Sequence, residues 1–496
     1  MMFALPALVA LPFFGGLAAW LSDLRGPART PWLVSLVTLA LQALLLVDLS
    51  ATTFGPGWRA HFAAPWVSML GIDIRFDMDG VSLVLLWLNL LIAIPTVLLC
   101  TRHVRDRPGL YQFLLLATIA GVNGVFLSTD MFLFFCFWEL MLLPLFGVLL
   151  IWGHADRARV TLKFFLFTQG SGLLMLLSIL ALAVINAHDT GVLTFNYFVL
   201  AQVAGHSFLA PTIMLGFLIA FAVKMPMLPF HVWQPDTYAE SPTAASVLLA
   251  GILSKTGAYG MIRFVAQMFP SATAQIAPLM IALGVIGILY CAWLAVAQDD
   301  VKRVIAYSSI SHLGYIVLGV FSGTRVGTEG AVIQMVAHGL STGALFIIAG
   351  FVEERTGTRD MRRLGGLWPA MPQFSAFAMF FTAASLGLPG IGNFVGEFMT
   401  LLGAWQISHV ATFLAAFGAV LSSVYALTMM KRIFYGPAVI EGSQPLGAPS
   451  TPHLAVLGVA TVLLLVLGFY PQPVLDLSTP GSLHPQSLSL AEEPAR

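Results

Sequence analysis

Apolar residues run along this chain in long blocks with short polar punctuation, too long and too uniform for the core of a soluble protein. Fourteen blocks are predicted as membrane-spanning helices, at roughly 2–22, 32–51, 80–101, 110–127, 131–152, 160–186, 209–230, 241–266, 276–297, 302–321, 329–352, 370–400, 405–433 and 453–472. Each approaches or exceeds the ~20 residues a helix needs to cross the hydrocarbon layer. The pattern predicts an all-α polytopic membrane protein, one large bundle with little room for a soluble domain. No basic leader precedes the first block, so Met1 to Trp20 is expected to remain as an uncleaved first span.

Two blocks are interrupted. In Lys224-Met-Pro-Met-Leu-Pro-Phe-His231 the prolines at 226 and 229 donate no backbone hydrogen bond, so carbonyls near Phe221 to Met225 need other partners. Leu388-Pro389-Gly390-Ile391-Gly392-Asn393 breaks the twelfth block, with Glu397 on the resumed helix. Broken spans at corresponding places in two halves point to an inverted-repeat transporter. The breaks fall in spans 7 and 12, which divides the chain into helices 1–3 (1–109), a first repeat of helices 4–8 (110–266), a second repeat of helices 9–13 (276–433) and a last helix with its tail (434–496).

Composition confirms the class: 58% of residues are hydrophobic and 9% charged, with a mean hydropathy of +0.89. Basic residues collect in the connections after odd-numbered spans: Arg25 and Arg29; Arg102, Arg105 and Arg107; Arg157 and Arg159; Lys302 and Arg303; Arg355, Arg359, Arg362 and Arg363; Lys431 and Arg432. Arg59, Arg75, Arg263, Arg325 and Arg496 are all that fall on the other side. The positive-inside rule makes the odd-side loops cytoplasmic and puts both termini on the opposite, periplasmic face.

Several functions are disfavoured. Cys100, Cys136 and Cys291 form no C-x-x-C and read as small buried hydrophobes. No Cys, His and carboxylate cluster has metal-ligand spacing, and the glycine-rich run from Gly387 to Gly396 follows no soluble strand, so it reads as a helix break and not a nucleotide site. Trp and Tyr near span ends fit an interfacial belt and carry no cofactor signal. Nothing suggests nucleic acid.

The candidate chemistry lies in four ionisable residues inside apolar blocks: Glu139, Lys224, Lys255 and Glu397. A charge at mid-bilayer costs about 2.5–3.5 kcal/mol on insertion scales, so such residues usually meet a partner or a wet cavity. Glu139 lies about eight residues into its helix, roughly 12 Å deep at 1.5 Å per residue. Lys163 lies near a helix start, where it serves either a relay or a snorkelling anchor. Asp130, Asp299, Asp300, Glu353 and Glu354 fall at span ends, the place for caps or partner contacts.

Phe230-His-Val-Trp-Gln-Pro-Asp-Thr-Tyr-Ala-Glu-Ser-Pro-Thr243 and Leu249-Ala-Gly-Ile-Leu-Ser-Lys-Thr-Gly-Ala-Tyr-Gly260 resemble the signature of the proton-translocating antiporter-like subunits of respiratory complex I. Phe137-Trp-Glu-Leu-Met141, Asp300 to His312, Gln334 to Ser341 and Gly392 to Phe398 resemble it too, and together the matches reach from about residue 75 to 435. The acid at Glu397, where sister subunits carry lysine, and the lack of a long C-terminal lateral helix point to the M-type branch, a membrane-arm subunit of bacterial NADH-quinone oxidoreductase in the inner membrane. Two positions depart from the pattern: Gln234 replaces a usual leucine, and Tyr238 stands where histidine is common, which puts in doubt any relay role there.

The resemblance implies a proton relay in which Lys224 pairs with Glu139, then passes charge through His231, His312 and His338 to Lys255 and on to Glu397. Histidine suits the intermediate sites because its ordinary pKa is near neutrality, although a lone histidine on an apolar face is more often a satisfied core residue. It also implies two related antiporter-like subunits as neighbours, with FMN, iron–sulfur clusters and quinone in partner subunits and no cofactor in this chain. A subunit of a multisubunit Na+/H+ antiporter shares the same motifs, and a structural spacer whose charges only fix packing is the third alternative.

Overall fold

The computed structural model describes residues 3–24, 29–52, 57–100, 104 and 106–437, together with 451–481; for Cys100 it describes the backbone only. Arg25, Arg102, Arg105 and Arg496 lie outside the described residues.

The chain opens with α1 (Ala4–Asp23), α2 (Thr30–Thr52), α3 (Gly80–Cys100) and α4 (Pro108–Leu127). Between α2 and α3 an antiparallel hairpin pairs β1 (Ala60–Val67) with β2 (Ile72–Met78), the one departure from the all-α expectation among the described residues. Next come α5 (Met131–Leu140), α6 (Leu143–Trp152), α7 (Arg157–Thr190), α8 (Tyr197–His206), α9 (Ala210–Lys224), α10 (Gln234–Glu240), α11 (Thr243–Leu248) and α12 (Ser254–Gly260). Beyond them lie α13 (Pro270–Val296), α14 (Val301–Phe321), α15 (Arg325–Thr356), α16 (Leu367–Ala370), α17 (Pro372–Ser385), α18 (Gly392–Trp405), α19 (His409–Ile433), α20 (Thr451–Phe469) and α21 (Gln472–Leu477).

Twelve helices among the described residues are long and apolar enough to cross a membrane, counting Met131–Trp152 and Thr243–Ala266 as one each. The other two predicted spans, 209–230 and 370–400, are the interrupted ones: α9 stops at Lys224, and Ser385 and Gly392 flank the gap between α17 and α18. A third interruption was not foreseen. The helix through Glu139 ends at Leu140 and restarts at Leu143 with Pro144 in its first turn, so Glu139 stands in the last turn of a half-helix.

The bundle has a buried axis and an apolar outer shell. Residues 243–266, α14 and α15 are almost wholly enclosed, whereas α1, α2, α19 and α20 turn large apolar side chains such as Leu44, Phe413 and Val462 outward. Around Ser254–Gly260 the axis winds more loosely, with π-helical turns at Leu249–Leu253 and Met261–Ala266. Such turns appear mostly as single insertions and often mark functional sites.

One clasp occurs in both halves. Asp130 caps α5 by accepting from the Leu133 amide, and Asp300 caps α14 by accepting from the amides of Lys302 and Arg303. Beside Asp130, the Met131 amide donates to Phe195 (2.8 Å) and the Tyr197 amide to Thr129 (2.9 Å). Beside Asp300, the Val301 amide donates to Arg359 (3.0 Å) and the Met361 amide to Asp299 (2.8 Å). Each half thus ties the start of one helix to the chain leaving the next long one by the same two bonds.

Two residues counted above as loop cations are core residues. Arg263 is 2% exposed and makes a buried ion pair with Asp79, which also accepts from the amides of Ser82 (2.9 Å) and Gly481 (2.8 Å). The guanidinium lies 4.6 Å from the Trp58 ring centroid. Lys302 is likewise buried, its ammonium 2.8 Å from Glu353.

Candidate functional site

At the first interruption the freed carbonyls find partners. The Met227 amide reaches back to Ala222 (2.8 Å) and the Trp233 indole N–H donates to Val223 (3.0 Å). Turns at Phe230–Trp233 and α10 then carry the chain back toward the axis. Charge holds this returning segment: Asp236 accepts from Lys163 (3.0 Å) and from the distant Arg303 (2.8 Å), and Glu240 pairs with Arg359 (2.5 Å), which also holds Asp300 (2.6 Å). Lys163 is therefore an ion-pair partner of the loop. Tyr238, the departure from the family pattern, is buried and donates to the Leu249 carbonyl (2.9 Å), bracing the first π-helical turn.

At the second interruption Gly387 and Gly390 have φ of +68° and +92°, conformations that favour glycine. A Cβ on Gly468 of α20 would come within 2.1 Å of the Gly390 carbonyl oxygen, so the two backbones meet only because that position is bare. Gly396 likewise lets α18 lie against Gln334 of α15, where an added Cβ would stand 2.6 Å from Oε1. That close approach sets the place of Glu397 one residue later.

The predicted site residues fall into two groups. In the first, Lys224 is buried, its Nζ 5.7 Å from the Trp138 ring centroid and without a hydrogen-bond partner. Glu139 Oε1 is also buried without one, close against Gly172 of α7. No hydrogen bond joins the two. His231 stands apart, edge-on to Tyr290 at 6.0 Å, and its Nδ1 is unbonded.

The second group is a connected chain. Lys255 Nζ donates to the Ala250 carbonyl, five residues back in the π-helical turn, and lies 2.8 Å from His338 Nδ1. The rings of His338 and His312 are 5.7 Å apart between centroids. His312 Nδ1 is 2.8 Å from Glu397 Oε1, to which the Gln334 amide also donates at 3.3 Å. The order along this path is therefore Lys255, His338, His312, Glu397, with the histidines between the lysine and the acid and His231 outside it. All four are buried.

Hydroxyls support the chain at residues that the sequence did not single out: Tyr425 (3.1 Å) and Ser385 (3.3 Å) at His312 Nε2. No local signal marks either, because their use depends on how α17 and α19 cross α14. Glu353 was read as a span-end acid, and it is the counter-charge of buried Lys302. The arrangement can move protons: each member both binds and releases one, and none is open to bulk water.

Comparison with known proteins gives the family of the chain. Residues 128–422 match the family described as NADH:quinone oxidoreductase/Mrp antiporter, TM. The chain is 46% identical over 496 residues to NADH-quinone oxidoreductase subunit M of Pseudomonas aeruginosa, covering 97% of this chain and 96% of that one. It is 45% identical to the subunit of that name in Escherichia coli, covering 96% of each. Among solved structures it superposes on a chain of respiratory complex I from Thermus thermophilus with bound NADH, with a TM-score of 0.86, 31% identity and coverage of 96% of this chain and 98% of that one.

Proposed function

The chain belongs to the NADH:quinone oxidoreductase/Mrp antiporter transmembrane family, and from that premise we propose that it is a proton-translocating membrane-arm subunit of a bacterial NADH-quinone oxidoreductase. The observation that carries this reading is the buried path Lys255–His338–His312–Glu397 inside the bundle, hydrogen-bonded at its two ends and with the two imidazole rings 5.7 Å apart at its middle. Neighbouring members of the path approach within reach of proton exchange, directly or across one ring gap. Glu139 and Lys224 form the loading site: a buried ammonium without a hydrogen bond gives up its proton when the nearby carboxylate is neutralised or withdrawn.

Redox chemistry belongs to partner subunits carrying FMN, iron–sulfur clusters and quinone, and this chain contributes the proton path. Two related antiporter-like subunits flank it in the inner membrane, and its termini face the periplasm. Near-full-length likeness to subunits named for NADH-quinone oxidoreductase favours this over a Na+/H+ antiporter subunit.

The test is purification of the tagged chain from native membranes. Flavin, iron–sulfur signals and NADH-quinone activity should travel with it; recovery with membrane subunits alone and sodium-dependent proton exchange would establish the antiporter reading instead. Lys224→Ala in a fully assembled complex should lose proton movement, and unaltered pumping there would leave only the spacer role.

A further inference from the structure

The two ring nitrogens of His312 are held by opposite kinds of partner. Nδ1 meets the Glu397 carboxyl (2.8 Å), and Nε2 meets the hydroxyls of Tyr425 (3.1 Å) and Ser385 (3.3 Å). An ionised carboxylate only accepts, so Nδ1 carries the proton beside it. A neutral imidazole has one N–H, which leaves Nε2 a single bare lone pair that accepts from one hydroxyl at a time, Tyr425 or Ser385. Tyr425 reaches this point from α19, with its ring buried.

We propose that Tyr425, with Ser385, is a positioning residue of the relay that holds His312 in the Nδ1–H tautomer and so sets the direction in which the proton leaves. This rests on the relay reading above. In the transfer step the Nδ1–H bond breaks and an O–H bond forms on Glu397, while Nε2 takes up a proton from the His338 side. His338 in turn receives one at Nδ1 from Lys255 and releases the one on Nε2. The balance is one proton lost by the lysine ammonium and one gained by the glutamate; both imidazoles stay neutral but end in the opposite tautomer, and His312 must return to its Nδ1–H form before the next transfer. As Nε2 gains its proton the donating hydroxyl turns to accepting, which a rotating O–H can do and an apolar ring cannot. His338 Nε2 has no bonded hydroxyl of this kind and makes no hydrogen bond, so the device belongs to His312 alone of the two.

The test uses the intact complex from native membranes with Tyr425→Phe, Ser385→Ala, both together, and His312→Gln as reference. Infrared difference spectra with ring-15N histidine read the His312 tautomer, and protons moved per quinone reduced are measured on the same preparations. The wild type should show the Nδ1–H form. The double variant should show a mixture of tautomers together with a loss of protons per quinone, and each single variant a smaller loss. A wild-type tautomer and proton ratio in the double variant, with His312→Gln still defective, would overturn the inference and leave the relay standing. So would a changed tautomer with an unchanged ratio. A wild-type ratio in His312→Gln removes the relay itself, and the inference with it. If the double variant does not assemble, Tyr425→Phe, which deletes one oxygen from a buried ring, decides by the same two readings.

Discussion

Two broken helices carry the charge chemistry of this molecule, and they treat it in opposite ways. Beside the first break, Lys224 lies buried with nothing to donate to, and Glu139 has a buried oxygen with nothing donating to it. Beyond the second break, Glu397 is held by His312 and Gln334. Both breaks carry a proline, Pro229 and Pro389, and Lys224 and Ala384 each stand five residues ahead of it. What differs is satisfaction. A buried ammonium without a hydrogen bond, as at Lys224, sits high in free energy and responds to a small shift of its neighbour, whereas an ion held by hydrogen bonds keeps its place and passes protons along a set path. The buried pair of Arg263 and Asp79, stacked on Trp58 and bonded to two backbone amides, is the purely structural extreme.

The largest expected effect tests that extreme. Arg263→Ala takes the buried ion-pair partner from the Asp79 carboxylate, a loss of about 3–5 kcal/mol, and should deplete the subunit from membranes as judged by native gel electrophoresis. Lys224→Met should do the reverse: because no hydrogen bond is broken, the subunit should assemble at wild-type levels while proton movement per quinone is lost. If Lys224→Met depletes the subunit as Arg263→Ala does, the distinction between the two kinds of buried charge fails.

Smaller effects sharpen the contrast between the breaks. A double-mutant cycle of His312→Asn with Glu397→Gln should give a coupling of about 1–3 kcal/mol in denaturation of the purified complex, and one of Glu139→Gln with Lys224→Gln a smaller one, because charge alone and no hydrogen bond joins that pair. Equal couplings would mean the first pair is as tightly joined as the second. Smallest is Gly172→Ala: its Cβ would stand 2.8 Å from Glu139 Oε1 and displace the carboxyl. We expect about 1 kcal/mol of destabilisation and slower proton transfer, read as the rate of acidification by vesicles containing the complex.

The spans and both main breaks were legible because apolar blocks, proline and glycine act locally, whatever the neighbouring helices do. The interruption after Leu140 was written in Pro144, but a proline in a first helical turn is also compatible with an unbroken span further on. The hairpin escaped because Ala60–Val67, with three alanines and a proline, has little of the composition of a strand. Lys302 and Arg263 were misplaced for another reason: a cation at the end of an apolar block looks like a loop residue until its carboxylate, supplied from elsewhere in the chain, is known. The site residues themselves could be named from their unlikely setting, yet their order could not. Which histidine faces Lys255 and which faces Glu397 is decided by the crossing of α14, α15 and α18, and no spacing within one helix encodes it.

The bond from the Gly481 amide to Asp79 joins positions 402 residues apart, and Arg263 is 184 residues downstream of the same carboxylate. At a ribosomal pace of about 5–20 residues per second, the arginine is made roughly 10–40 s after Asp79 and the glycine roughly 20–80 s after it. The head of α3 therefore enters the bilayer long before its counter-ion exists, and is closed over only when almost the whole chain has left the ribosome. A chain stopped short of Gly481 has the arginine and the Ser82 amide in place but lacks the last of the two backbone bonds on this carboxylate, so the cluster is completed only near the end of synthesis.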